Sequence, residues 1–350
     1  MSPRTKVTLT DIARAAGVSP ATVSMILSGR EGVSFSKTTV ARVRERATEL
    51  AYVPSARKKA ARLFGHSVLI ICPNVINPYY STLVQSIQQA ARQQNVATLI
   101  YTTYRDAATE SAILREAADS HLAGIVFAMM PQSRALVEGL NRSVPVVVIG
   151  DRSTSLNVDT VELDNYSAGV LIAQYMIEQG HKRIAYITTP LNAANSARVR
   201  RLKGLRDTFR QQCSGGSVLV YSREISPEME LNTLSIEHET GYALTKKCLE
   251  EAEVTAFVAV NDMVGYGVLD AVRGAGLRVP EDYSVCGFDN IFPSGFVGIG
   301  LTTVEHHIEA KGRHAFNMLF AKITGENSEQ ILRMEFRHHL IIRQSTARPR

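Results

Sequence analysis

Between Leu9 and Leu27 the chain reads LTDIARAAGVSPATVSMIL, and no other stretch constrains its fold as tightly. Thr8-Leu9-Thr10-Asp11 has the spacing of a capping box, in which a hydroxyl and a carboxylate three residues apart satisfy the free amides that open a helix. Ile12, Ala13 and Ala16 fall on one face of that helix. Gly17 ends it, because glycine enters left-handed φ without a steric penalty. Ser19 is a good N-cap, and Pro20 suits the first position of a second helix. Val23, Ile26 and Leu27 return inward at helical spacing. Small Ala13 lets the helices cross closely, Gly17 makes the turn and Val23 plugs the contact, which together predict a helix-turn-helix. A third helix is expected from about Lys37 to Leu50, with Val40, Val43, Ala47 and Leu50 inward.

Charge singles out the same region. Residues 1–66 hold 12 Lys and Arg against 4 Asp and Glu, a balance of +8, whereas the remainder holds 27 against 29. Excess positive charge gathered in a folded module is the footprint of a phosphate-binding surface. At 350 residues the chain is long enough for a small module and a larger α/β body. It has no run of about 20 apolar residues, so no membrane span is expected. The start, MSPRTKVTLTD, has no apolar core of a signal peptide. Cys72, Cys213, Cys248 and Cys286 are scattered without a CxxC spacing, which predicts reduced, buried thiols and a cytoplasmic setting.

In a helix-turn-helix the second helix enters the major groove. Its outward positions here are Pro20, Ala21, Thr22, Ser24 and Met25. Ala21 or Met25 can touch thymine methyl groups. Ser19, Thr22 and Ser24 can bond phosphates or bases. The segment VTLTDIARAAGVSPATVSMILSG, followed by ATELAYVPS, resembles the DNA-binding head of the LacI/GalR family of bacterial transcriptional regulators. In that family Tyr-x-Pro precedes a hinge helix that folds on operator DNA and enters the minor groove. The motif here is Tyr52-Val53-Pro54, which places the hinge at Ser55–Leu63. Where the family carries a wedging leucine this chain has Ala61, with Leu63 two residues on, and Arg57-Lys58-Lys59 stands where the family is often apolar. The resemblance implies DNA contacts from Thr8, Ser19, Pro20, Ala21, Thr22, Ser24, Met25, Ser34, Tyr52, Ser55, Lys58 and Ala61.

From Ser67 onward, short apolar runs alternate with helical patterns. The runs are 68–73, 96–102, 124–130, 145–151, 183–189, 217–221, 256–262 and 283–289. Such alternation predicts parallel doubly wound sheets, and the length calls for two similar lobes. Ligands of open parallel sheets bind at the carboxyl ends of strands. The polar residues there are Asn77, Asp151, Asn261, Asp262 and Asp289. Asn77-Pro78 also reads as the N-cap and first position of a helix. The family resemblance continues through NPYY, VVVIGDR, VELDNYSAG, AVNDMVGYGVL and LTTVEHH. It implies a periplasmic-binding-protein-like body with an effector cleft lined by Tyr79, Tyr80, Asp151, Arg201, Asn261 and Asp289. Arg201 is chosen because it lies three residues before Gly204, with Arg198 and Arg200 as competitors. Each aspartate can accept from two hydroxyls and the arginine can donate a fork of hydrogen bonds, which suits a carbohydrate. With no tryptophan in the chain, stacking would fall to Tyr79, Tyr80, Phe288 or Phe292. Two departures stand out: His306-His307 replaces the usual Gln-Pro, and the stretch 222–239 is longer than family habit.

His306, His307 and His314 lack the companions of a metal site. His338-His339 reads as part of a late surface strand, and the final TARPR as a polar tail. No phosphate loop, dinucleotide fingerprint or nucleophile elbow is present, which argues against an enzyme, a cofactor or a metal. A transporter's solute-binding protein would share the body but needs a signal peptide and no basic head. The expected architecture is therefore a helix-turn-helix head at 1–54, a hinge at 55–66 and a two-lobed effector and dimerisation body at 67–350. The expected function is repression by a homodimer on pseudo-palindromic double-stranded operator DNA. A small-molecule effector would act as inducer or corepressor, and no membrane would be involved.

Overall fold

The computed structural model describes residues 7–28, 35–50, 52, 67–152, 156–192, 195–326 and 329–350. Two compact units emerge, residues 1–65 and residues 66–350.

In the first unit, α1 (Leu9–Ala16), α2 (Pro20–Ser28) and α3 (Lys37–Glu49) form where the apolar spacing predicts them. The Asp11 carboxylate accepts from both the amide and the hydroxyl of Thr8, at 2.8 and 2.7 Å. Gly17 has φ of 64° and returns its N–H to the carbonyl of Ala13. Ser19 Oγ accepts from the Thr22 amide at 3.1 Å and opens α2. Ser36 caps α3 in the same way through Thr39. Ile12, Ala13, Ala16, Val23, Ile26, Val43 and Ala47 make the core that these turns bring together.

The second unit contains two six-stranded sheets. One lobe comprises β1 (Ser67–Cys72), α4 (Pro78–Gln93), β2 (Ala97–Thr102), α5 (Ala107–Asp119), β3 (Gly124–Phe127), α6 (Arg134–Leu140), β4 (Val146–Asp151) and β5 (Asp159–Leu163). The other comprises α7 (Asn165–Gln179), β6 (Arg183–Thr188), α8 (Ser196–Gln212), β7 (Ser217–Ser222), α9 (Pro227–Asn232), α10 (Ile236–Glu251), β8 (Ala256–Ala259), α11 (Asp262–Gly274), β9 (Ser284–Asp289) and β10 (Thr302–Glu305). The chain then returns to the first lobe as α12 (Ile308–Ile323) and β11 (Arg333–Phe336), and ends its strands in the second as β12 (His339–Ile341). The sheet orders are β11-β5-β4-β3-β1-β2 and β12-β10-β9-β8-β6-β7. All neighbours are parallel except β12 against β10. The chain thus crosses between lobes three times, at 163–165, 305–308 and 336–339.

β5 and β11 lie outside the expected runs because they carry charge inside the lobe. Asp159 accepts from the Leu332 amide at 2.9 Å and lies 3.5 Å from Lys322. Glu162 accepts from Thr160 and pairs with Arg333 at 3.2 Å. The other polar surprise is the stretch after β12. Ser345 and Ala347 bond Thr302, Val285 and Ser284, and Thr346 bonds Tyr175, so this segment is stitched onto the sheet rather than hanging free. Cys72, Cys248 and Cys286 are buried, but Cys213 is only half-buried.

Two helix pairs in the second lobe cross at glycines. A methyl group on Gly204 would sit 2.1 Å from the carbonyl oxygen of Tyr166, and one on Gly169 would sit 2.1 Å from that of Arg201. Gly241 and Gly267 play the same part between α10 and α11.

Candidate functional site: the interlobe cleft and the exposed face of the second helix

In the head, Ser19, Pro20, Ala21 and Ser24 are exposed, while Thr22 and Met25 are half-buried. The Ser19 and Thr22 hydroxyls already share a hydrogen bond of 2.8 Å. Thr8 caps α1, and Tyr52 is half-buried against the head core with its amide bonded to Ala47. Ser34, Ser55, Lys58 and Ala61, together with the hinge, lie outside the described residues.

In the body, the carboxyl ends of strands from both sheets face a cavity of about 120 Å³. All six residues expected in the cleft line it: Tyr79, Tyr80, Asp151, Arg201, Asn261 and Asp289. Each is placed by its element. Asn77 caps α4, accepting from Tyr79 N at 2.9 Å, and so directs Tyr79 and Tyr80 inward in the first turn. Asp151 and Asp289 are the last residues of β4 and β9. Asn261 caps α11 through Val264 N at 2.9 Å. Arg201 lies one turn before Gly204, whose missing side chain lets α8 close onto α7. Its Nε then donates to Asn165 at 2.9 Å. Nη1 donates to the carbonyl of Val260 at 2.6 Å, Nη2 lies 3.4 Å from Asp289, and the guanidinium stacks 4.8 Å from the Phe288 ring.

Two buried groups stand behind the cavity wall: His306, which the sequence marks as a departure from the family's Gln-Pro, and Lys311, which carries no sequence signal. His306 is fully buried, with Nδ1 3.0 Å from Asp289 and 3.3 Å from Arg201. Burial drives its pKa well below the usual imidazole value, and the positive charge of Arg201 adds to this, so the ring is neutral. Lys311 is also fully buried and donates to the Tyr79 hydroxyl at 2.7 Å; burial lowers its pKa to about 7 against the pull of Asp289. Burial likewise raises the Asp289 carboxyl above its ordinary range, opposed by Arg201. Asp262, next to Asn261, does not line the cavity. It accepts from Ser294, Thr303 and the Ile291 amide, in space that Gly287 leaves open.

Polar bridges tie the lobes across the cleft. Asn74 and Asn77 donate to Glu230 and Glu237, each at 2.6 Å, and Arg105 lies 3.5 Å from Glu230. Arg200, a competitor for the cleft in sequence, instead pairs with Asp151 at 3.3 Å and Asp164 at 3.5 Å. At the crossovers, His338 is half-buried rather than on the surface; its ring nitrogens lie 3.0 Å from the Asp164 carbonyl and 3.4 Å from that of Glu305. Phe288 is buried beneath Arg201 and Phe292 is exposed, so neither offers a ring to the cavity, and Tyr79 and Tyr80 are its aromatics. Among the described residues no helix is long and apolar enough to cross a membrane.

A helix-turn-helix unit with a two-lobed, polar-clefted α/β body defines a class of ligand-binding regulatory protein. Residues 8–55 match the family model for bacterial regulatory proteins of the lacI family, and residues 173–346 match the periplasmic binding protein-like domain. The head is thus of the lacI-family type and the body of the periplasmic binding protein-like type. It is 28% identical over 344 residues to the HTH-type transcriptional repressor PurR of Haemophilus influenzae (strain PittEE), covering 97% of this chain and 98% of that one. It is 29% identical over 314 residues to the regulator DegA of Bacillus subtilis (strain 168), covering 88% of each. Among solved structures, the regulator CelR in complex with cellobiose aligns with a TM-score of 0.67 and 26% identity, over 97% of this chain and 100% of that chain.

Proposed function

We propose that this chain is a cytoplasmic, non-enzymatic regulator of transcription, acting as a repressor. It binds a pseudo-palindromic operator as a homodimer through α2. A small carbohydrate-like effector in the cleft would set its affinity for DNA. The observation that carries this reading is the polar cavity between the lobes, with carboxylates, an amide and a guanidinium gathered at strand ends. Asp289, Asp151 and Asn261 offer acceptors for hydroxyl groups, Arg201 offers donors, and Tyr79 and Tyr80 offer rings. Because the lobes are joined by three crossovers and by polar bridges across the cleft, a ligand that favours one closure would bias the body between two arrangements. Two heads on a two-fold axis match two half-sites one helical turn apart.

The test has two arms. Selection from random duplex DNA should return inverted half-sites for the full chain. A thermal-shift screen of sugars and related metabolites should then yield a ligand that changes affinity for the selected site. A selected site without two-fold symmetry, or ligands that bind without any effect on DNA affinity, would overturn the reading.

A further inference from the structure

The cleft does not end at the cavity just described. A second chamber of about 180 Å³ adjoins it, and Arg105, Gln132, Asn195, Arg198 and Glu237 line both. Its outer wall includes Ile225, Pro227 and Ile236, from the stretch that is longer than family habit.

The partition between the chambers is rich in donors. Arg105 is offset by Glu230 at 3.5 Å. Arg198 is not offset so well. Its side chain is only 12% exposed, and its polar partner among the described residues is Glu237, 3.6 Å from Nη2. Glu237 is already engaged, with one oxygen accepting from Asn77 at 2.6 Å and the other from Asn261 at 3.0 Å. Among the described residues Arg198 thus has this ion pair but no hydrogen bond, and its largely buried side chain brings a fork of N–H donors to the partition. Burial and the adjacent charge of Arg105 lower its pKa to about 10, the mark of a cation short of negative charge. A guanidinium fork matches two oxygens of a carboxylate or phosphate. The inner chamber, by contrast, offers the acceptors that hydroxyls need.

We infer that the effector is bipartite: a polyol end seated on Asp289 and Arg201, and an anionic end, carboxylate or phosphate, that passes the partition and is held by Arg198. This rests on the effector reading above and names its chemical class.

The experiment uses the full chain and a panel of glucose, galactose, mannose and ribose. Each sugar is tested beside its acid form and its terminal phosphate, by thermal shift and then calorimetry. For the configuration that binds, one anionic form should bind at least about tenfold more tightly than the neutral sugar. The acid and phosphate arms distinguish the two sources of charge. R198Q should cost that form at least about tenfold and the neutral sugar less than about threefold. R198K, which keeps the charge but loses the fork, should fall between and serves if R198Q does not fold. Equal binding of neutral and anionic forms, with D289A still abolishing both, would overturn the inference and leave the effector reading intact. Silence across the whole panel would overturn both.

Discussion

Replacing Arg201 by alanine tests how the cleft is held. The change removes a side chain only 9% exposed and leaves the Asn165 amide oxygen, the Val260 carbonyl and Asp289 without their donor. Removing one member of a buried ion pair costs about 3–5 kcal/mol. The lower end is expected, because Lys311 and the Nδ1 of His306, 3.0 Å away, stay beside Asp289. Burial already raises the Asp289 pKa, and Arg201 opposes it. Without the guanidinium the carboxyl rises further. A carboxyl whose folded pKa lies above its unfolded one costs nothing when protonated in both states. It becomes destabilising above the unfolded pKa, and increasingly so until the folded pKa is passed. The gap between wild type and R201A should therefore be smallest near about pH 4 and widen towards about pH 8, by about 1.4 kcal/mol for each unit of added shift. Since the chain has no tryptophan, urea unfolding of the body is followed by far-ultraviolet circular dichroism at several pH values. In a D289N background the pH-dependent part should shrink to what Lys311, whose pKa Arg201 also lowers, contributes. A cost that is the same at both ends of the pH range, or that survives D289N undiminished, would refute the coupling of Arg201 to Asp289.

Three further outcomes are expected. Operator affinity should fall by about three decades between about 50 and 200 mM salt, given the +8 balance of residues 1–66, and a fragment 67–350 should lose it; a flat salt response in gel-shift titrations would contradict this. Met25→Arg on α2 should shift the selected half-site towards guanine, read by selection from random DNA; an unchanged site would mean that Met25 does not face bases. Gly204→Ala would drive a methyl group to 2.1 Å from the Tyr166 carbonyl oxygen, so α7 and α8 must part. A loss of about 2 kcal/mol or more in urea unfolding, with weaker effector binding from a displaced Arg201, is expected; an unchanged midpoint would refute the close packing.

Local chemistry made much of this architecture legible. Thr8 with Asp11, Gly17 and Asn77 with Pro78 announce helix ends because the groups that satisfy one another lie within four residues. Asp151 and Asp289 stand out because each breaks an apolar run at the point where a parallel strand ends. Glu230 and Glu237 could not be found that way: their partners Asn74 and Asn77 are 156 and 160 residues distant. Asn261 and Asp262 show the limit at finer scale. They are adjacent and alike in type, yet one caps α11 at the cavity while the other is consumed by Ser294 and Thr303. Periodicity also fails for β5, since Asp159 and Glu162 find their counter-charges only after Lys322 and Arg333 fold back from the far side of the second lobe.

That return of the chain has a consequence for biosynthesis. The head is complete once residue 50 or so has been made, and its core needs nothing later. The first lobe, although begun at Ser67, lacks its edge strand β11 and its α12 until residue 336 has been added. Ala315, Phe316 and Leu319 of α12 belong to the same core as Val68, Ile70 and Leu83. During synthesis the basic head is therefore finished while the sensor is still open on both sides. Domains that fold as units from the N-terminus form in that order. A chain interrupted before Ile308 would carry a folded DNA-binding head on an unfinished, apolar-surfaced body, which could reach DNA but could not answer a ligand.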